Sequence, residues 1–207
     1  MSEKLIPESL LGDVIVTKEQ IEAREAVLAD QLVCDLDGQN PIMLCVKEGA
    51  RFFFDDLCEQ MQERSFQFER AWIKTSSYFG NASVGNVTIK DYQGPDLTGR
   101  TVVIVEDIID TALTVKALAD HLYQSQAAQV ETCALLFKKR RQNWLWRKTG
   151  LRAVFRYPRI RYIGFFMGDH FVVGKGLDYD DYGREFKAVH VLLPDGQKWV
   201  DGKNKRA

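Results

Sequence analysis

The sequence predicts an α/β protein: a twisted, mainly parallel sheet flanked by helices. Three observations lead there. Thr101, Val102, Val103, Ile104 and Val105 are consecutive β-branched residues, the pattern of a strand buried on both faces. Residues 41–46 are apolar, residues 47–50 form a turn bearing Gly49, and residues 52–61 are amphipathic. Strand, turn and helix in that order make a βα unit. Val115, Leu118, Ala119 and Leu122 then recur at helical spacing, and residues 130–137 form a further aliphatic strand.

A chain of 207 residues fits one domain with a sizeable core better than two. Its net charge of −1 gives no global attraction to nucleic acid or to an anionic membrane. No apolar run approaches the length that spans a bilayer, and MSEKLIPESLLGD has no signal-peptide core. Cys34, Cys45, Cys58 and Cys133 form no CxxC pair. Reduced, buried thiols and a cytoplasmic location are expected. The isolated histidines His121, His170 and His190 argue against a zinc site.

Taken in order, residues 1–16 read as an irregular lead-in with one short strand at 14–16. Thr17 and Gln20 fit a capping box, and the helix behind them runs to about Leu32. Ile21, Leu28 and Leu32 share a face, but Arg24 and Glu25 fall near the same stripe and weaken it. Asp37 and Gly38 end it. Residues 67–75 and 87–90 read as two strands around the polar, glycine-bearing stretch SSYFGNASVG. The helix after residue 114 ends near Ser125. Residues 138–161 hold ten Lys or Arg and no acid, with Trp144, Trp146, Phe155 and Tyr157 interleaved. That composition suits an RNA-contacting surface, a subunit contact or a surface flap. The near-zero net charge and the lack of a nucleic-acid fold signature favour the last two. Residues 162–166 and 187–193 read as strands, and the basic tail after Gly202 as disordered.

The chemistry concentrates where the strand at 101–105 runs into Glu106, Asp107 and Asp110, followed by Thr111 and Thr114. Open α/β sheets place ligands at the carboxyl ends of their strands. A helix N-terminus offers amide donors and a positive dipole end to phosphate. Carboxylates suit sugar hydroxyls and a magnesium ion. One loop of this kind can hold a phosphorylated, metal-bound sugar.

The stretch TVVIVEDIIDTALT resembles the phosphoribosyl pyrophosphate (PRPP) motif of type I phosphoribosyltransferases, and most closely that of the hypoxanthine-guanine branch. A second likeness lies in HFVVGKGLDYDDYGREF. The resemblance covers roughly residues 41–193. It implies a single domain over residues 1–207, with a small hood built from the N-terminal lead-in and about residues 160–193. It implies transfer of phosphoribose from PRPP to N9 of a 6-oxopurine, hypoxanthine or guanine, with Mg2+ as cofactor and a homodimer or homotetramer as assembly. It assigns Asp110 to the purine N7 proton, Glu106 and Asp107 to the ribose hydroxyls and metal, and Thr111, Ala112, Leu113 and Thr114 to the sugar's phosphate. Glu48 and Gly49 become the pyrophosphate loop, with Arg184 as a second contact. Ser77 and Tyr78 fall in a lid hairpin, which would exclude water from the transfer. Lys138, Phe171 and Val172 take the purine, and Asp178 a second metal ion. From the residues alone, blander readings stand beside these: an ordinary turn at Gly49, an exposed hairpin, a solvated Lys138 and a core Phe171.

Two departures from the family pattern bear on the site. Ala112 replaces a common glycine; the expectation is a helical backbone there, which alanine tolerates. Glu48 stands where a lysine or arginine is common, and its side chain is expected to turn away while its amide faces the pyrophosphate. A catalytically silent nucleotide sensor that binds RNA is the alternative function, motivated by residues 138–161. Asp110 argues against it, since a sensor needs no proton acceptor.

Overall fold

The computed structural model describes residues 4–77, 87–139 and 159–204. In chain order the elements are β1 (Leu11–Val16), α1 (Lys18–Asp35), β2 (Ile42–Lys47), α2 (Arg51–Glu63), β3 (Glu69–Ser77) and β4 (Val87–Gln93). There follow β5 (Thr101–Ile109), α3 (Leu113–Gln124), β6 (Gln129–Lys138), β7 (Arg159–Met167), β8 (Val172–Val173), β9 (Val189–Leu192) and α4 (Pro194–Asn204). A six-stranded sheet has the order β4-β3-β2-β5-β6-β7. All its pairs are parallel except β3 with β4.

The apolar patterns decide which faces are covered. β5 and β6 are buried along most of their length, as strands with helices on both sides must be. Phe53, Phe54, Leu57 and Met61 of α2 join Leu28 and Leu32 of α1 in one core, with Met43, Val103 and Val105 of the sheet. Val115, Leu118, Ala119 and Leu122 of α3 form a second core, with Ile42, Leu44, Val102 and Ile104. Helices α2 and α3 therefore cover opposite faces. The chain leaves β2 in one direction towards β3, and β5 in the other towards β6. The carboxyl ends of β2 and β5 are thus a topological switch point, where such sheets open a crevice.

The capping box at Thr17 forms in both directions, with Thr17 N donating to Gln20 Oε1 (2.9 Å) and Gln20 N to Thr17 Oγ1 (3.3 Å). The polar residues that blur the stripe of α1 have partners inside the fold. Arg24 donates to the carbonyls of Ile163 (2.7 Å) and Gly164 (3.1 Å) on β7. Glu25 is only 2% exposed and meets Lys175.

Several expectations need correction. The hood is a three-stranded antiparallel sheet, β1-β9-β8. Its second part begins beyond residue 167, because β7 pairs with β6 in the main sheet. The tail expected to be disordered after Gly202 begins in a helix: α4 runs from Pro194 to Asn204, and its Val200 packs with Ile6, Val173 and Leu192. Gly196 lies inside that helix, which is why residues 194–204 do not look helical. Within residues 138–161 only the ends are described. There Lys139 lies over the ring of Phe166 (4.4 Å), and Arg159 and Arg161 pair with Glu131 (3.1 Å) and Asp35 (3.0 Å).

Candidate active site

The crevice at the switch point has a volume of about 360 Å³. Val46, Glu48, Gly49, Lys74, Thr75, Glu106, Asp107, Asp178 and Arg184 line it. Six of the nine belong to the sequence-predicted set: Glu48, Gly49, Glu106, Asp107, Asp178 and Arg184. Residues from four separate stretches of chain therefore converge on one place.

Glu106 and Asp107 stand on β5 itself, and not on a turn after it. Their strand stays paired with β6 as far as Ile109, with Glu106 opposite Ala134. The acids are held by a ladder and have little freedom to separate. Burial pushes Glu106 well above the ordinary carboxylate range, and the neighbouring Asp107 pushes it further. Burial also raises Asp107, against a hydrogen bond from Glu106 and one from the amide of Ile108, 2.8 Å from Oδ1. Both acids are thus shifted towards their protonated forms. Glu106 Oε2 is buried without a hydrogen-bond partner. Such an oxygen invites a cation or a hydroxyl donor.

Gly49 sits directly against these acids. A Cβ at position 49 would run into Asp107 Oδ2, so only glycine lets the loop approach. From the other side Gly176 abuts the carbonyl of Gly49. Glu48 turns outward, 56% exposed, with Oε1 3.8 Å from Lys74 Nζ. Lys74 was not legible as a site residue, because it alternates in β3 like any strand lysine; only its register opposite Lys47 places it here.

Asp178 is half-buried. Its Oδ2 accepts from the amide of Asp181 (2.7 Å), and its Oδ1 lies 3.0 Å from Arg184. Burial raises its pKa, while the Asp181 amide and the Arg184 guanidinium oppose the rise. Arg184 also donates to the carbonyl of Gly176 (3.1 Å) and to Asp181 (2.9 Å). Among the described residues no group of three or more His, Cys, Asp or Glu forms a metal cage. Magnesium typically takes one or two carboxylates and completes its shell with water and substrate phosphates. The acids Glu106, Asp107 and Asp178, with one orphaned oxygen, fit that mode.

A second group lies at the ends of β5 and β6. Lys138 is 8% exposed, with Nζ 3.6 Å from Asp110 Oδ2 and 4.0 Å from Asp169 Oδ1. It is not a solvated surface lysine. Asp169 was missed, since it stands alone in a short turn with no motif around it. Phe171 is 42% exposed and not core; its ring meets Tyr179 edge to face at 5.2 Å. Val172 is buried on β8, opposite Val191 of β9.

At the start of α3, Ala112 has φ 61° and ψ 6°. The expected helical backbone is wrong: the chain turns through the left-handed region, at a cost of ~1–2 kcal/mol for a residue with a Cβ. No side chain caps the helix, whose first turn carries Leu113 and Thr114 behind Thr111. Of the hairpin, β3 and β4 pair antiparallel as far as Ser77 opposite Val87. Tyr78 lies outside the described residues.

Residues 13–152 match the phosphoribosyl transferase domain family. The chain belongs to that family. It is 34% identical over 182 residues to the hypoxanthine-guanine-xanthine phosphoribosyltransferase of Tritrichomonas foetus, covering 88% of this chain and 92% of that one. Against the hypoxanthine-guanine phosphoribosyltransferase of Mycobacterium tuberculosis (strain CDC 1551 / Oshkosh) it is 34% identical, over 89% of this chain and 87% of the relative. Among solved structures, a Trypanosoma cruzi hypoxanthine phosphoribosyltransferase variant in a ternary substrates complex superposes with TM-score 0.77 and 30% identity. That match covers 91% of this chain and 98% of the other. The type I phosphoribosyltransferase fold inferred from the two motifs is the fold observed.

Proposed function

We infer that this protein is a purine salvage enzyme, a hypoxanthine-guanine phosphoribosyltransferase. It transfers phosphoribose from PRPP to N9 of hypoxanthine or guanine, and releases IMP or GMP with pyrophosphate. The observation that carries this reading is the convergence of Gly49, Glu106, Asp107, Asp178 and Arg184 on one crevice at the switch point.

The C1–O bond to pyrophosphate weakens as N9 approaches, and positive charge develops on the ribose. Glu106 and Asp107 accept hydrogen bonds from the ribose hydroxyls and place negative charge beside that centre. Asp110 accepts the N7 proton, which makes N9 more nucleophilic. Lys138, already held near Asp110, donates to the purine O6. Phe171 offers its exposed face to the base, and the backbone of Val172 reads its edge. The amides of Ala112, Leu113 and Thr114, with the hydroxyls of Thr111 and Thr114, hold the sugar's phosphate at the start of α3. The Glu48 and Gly49 amides and the Arg184 fork hold the pyrophosphate. Ser77 and Tyr78 belong to the hairpin that closes over the site. Glu106 and Asp107 would hold Mg2+, and Asp178 a second ion, and the metal would supply positive charge to offset that on the departing pyrophosphate.

A homodimer or homotetramer is the proposed assembly, and the cytoplasm the proposed location. Among the described residues no helix is long and apolar enough to cross a membrane, and three of the four free cysteines are buried. The deciding experiment is nucleotide formation from hypoxanthine and PRPP with Mg2+. IMP and pyrophosphate in equal amounts are expected. PRPP left unconsumed in the presence of each oxopurine overturns the reading.

A further inference from the structure

Lys175 belongs to neither motif's chemistry, yet it is a buried cation held by carboxylates from two helices. It sits between Gly174 and Gly176 in the tight turn that leads to Asp178. Its backbone is left-handed, with φ 51°. It is 7% exposed. Its Nζ lies 3.0 Å from Glu25 Oε1 on α1 and also reaches Asp56 Oδ2 on α2. A buried ion cluster and a strained backbone at one residue persist only where surrounding structure enforces them. An apolar side chain would fill this space without desolvating a charge. What the ammonium adds is direction: it ties the turn to two helices at once.

The turn it ties down is the junction of the crevice. Lys175 N donates to Phe186 O (2.6 Å), and Gly176 N to Arg184 O (3.0 Å). The Arg184 guanidinium returns to Gly176 O (3.1 Å). The Cα of Gly176 faces the carbonyl of Gly49, and Gly49 in turn abuts the Asp107 carboxylate. Both approaches are too close for a Cβ. A continuous run of contacts therefore leads from α1 and α2 through Lys175 and Gly176 to Gly49. Arg24 does not replace Lys175 as the cation for Glu25, because it is engaged with the Ile163 and Gly164 carbonyls.

We propose that Lys175, clamped by Glu25 and Asp56, is a positioning residue for the pyrophosphate half of the site. It presses the Gly176 turn against the Gly49 loop, and so fixes where Asp178 and Arg184 meet the pyrophosphate and its metal. This role rests on the phosphoribosyl transfer reading given above. It acts on PRPP, and leaves the purine end at Lys138 and Asp110 untouched.

The test uses the full chain with Mg2+, PRPP and hypoxanthine. Lys175→Met, Lys175→Arg and the double variant Lys175→Met with Glu25→Gln are compared with wild type, in kinetics and in thermal melting. Lys175→Met is expected to raise the KM for PRPP by about tenfold, with the KM for hypoxanthine within about twofold. Lys175→Arg is expected to recover most of the PRPP KM. The double variant leaves no unpaired buried charge, since Asp56 is 51% exposed, so it is expected to melt closer to wild type than Lys175→Met while keeping the raised PRPP KM. That split separates positioning from stability, and the double variant carries the test if Lys175→Met does not fold. An active wild type with a PRPP KM unchanged in the double variant overturns the positioning role alone. A wild type that makes no nucleotide overturns the transfer reading and this role together.

Discussion

The two halves of the crevice are neutralised differently. At the purine end, Asp110 already faces a cation, the buried Lys138. At the pyrophosphate end, burial raises the pKa of both Glu106 and Asp107, and Glu106 Oε2 is buried without a hydrogen-bond partner. The first half already holds a cation before substrate arrives. The second is braced by the β5–β6 ladder and the abutting Gly49, and an incoming cation would favour its charged acids. Under the proposed transfer, the metal dependence of binding would fall to one half and acceptance of the purine proton to the other.

The largest effect tests the purine half. Asp110→Asn keeps the shape but cannot take a proton, so kcat is expected to fall by ~10²-fold or more with PRPP affinity nearly intact. Activity within about threefold of wild type would remove Asp110 from that role. Next comes the metal end. Asp178→Asn is expected to raise the Mg2+ concentration for half-maximal rate by roughly tenfold, measured by titrating Mg2+ at saturating hypoxanthine.

The pH dependence has a definite sign. Glu106 and Asp107 have raised pKa values in the empty site, so their protonated forms are favoured there. Their contribution to the stability of the empty protein is present at low pH and lost as pH rises. Bound Mg2+ and PRPP reverse that preference. Affinity for PRPP with Mg2+ should therefore rise with pH and release protons, seen as a buffer-dependent binding heat in calorimetry. A heat that ignores the buffer contradicts proton release by these acids on binding.

How much of this was legible in the sequence follows from the same contrast. Residues that act through local order could be read directly: TVVIVEDIID declares a buried strand and its acids, and Thr17 with Gln20 declares a helix start. What depends on tertiary partners could not. Glu25 looks like a flaw in an amphipathic stripe until Lys175, 150 positions later in the chain, meets it. Asp169 and Lys74 carry no local signal; sheet register brings in Lys74, and the turn after β7 brings Asp169 to Lys138. Ala112 misleads because alanine usually reports helix, whereas here the tight turn into α3 overrides its preference. Residues 194–204 contain Gly196 and Gly202 and a leading proline, so their propensity is poor and their packing against the hood decides.

Two smaller effects follow from those surprises. Glu48 pairs with Lys74 on an exposed rim, where such pairs are worth ~0–1 kcal/mol. Glu48→Lys is therefore expected to change the KM for PRPP by less than about fivefold, and in the direction of tighter binding. A large loss would show that the Glu48 carboxylate itself shapes the loop. Ala112→Gly relieves the left-handed strain, and is expected to raise stability by about 1 kcal/mol in denaturant melts without loss of activity.

The most direct test of the contrast between halves is calorimetric binding of pyrophosphate and of IMP, each with Mg2+ and with the metal chelated away. Pyrophosphate binding is expected to disappear without Mg2+, while IMP binding persists with its affinity changed only modestly. Pyrophosphate that binds equally well in chelator would contradict the account, because Glu106, Asp107 and Asp178 would then face it with no cation between.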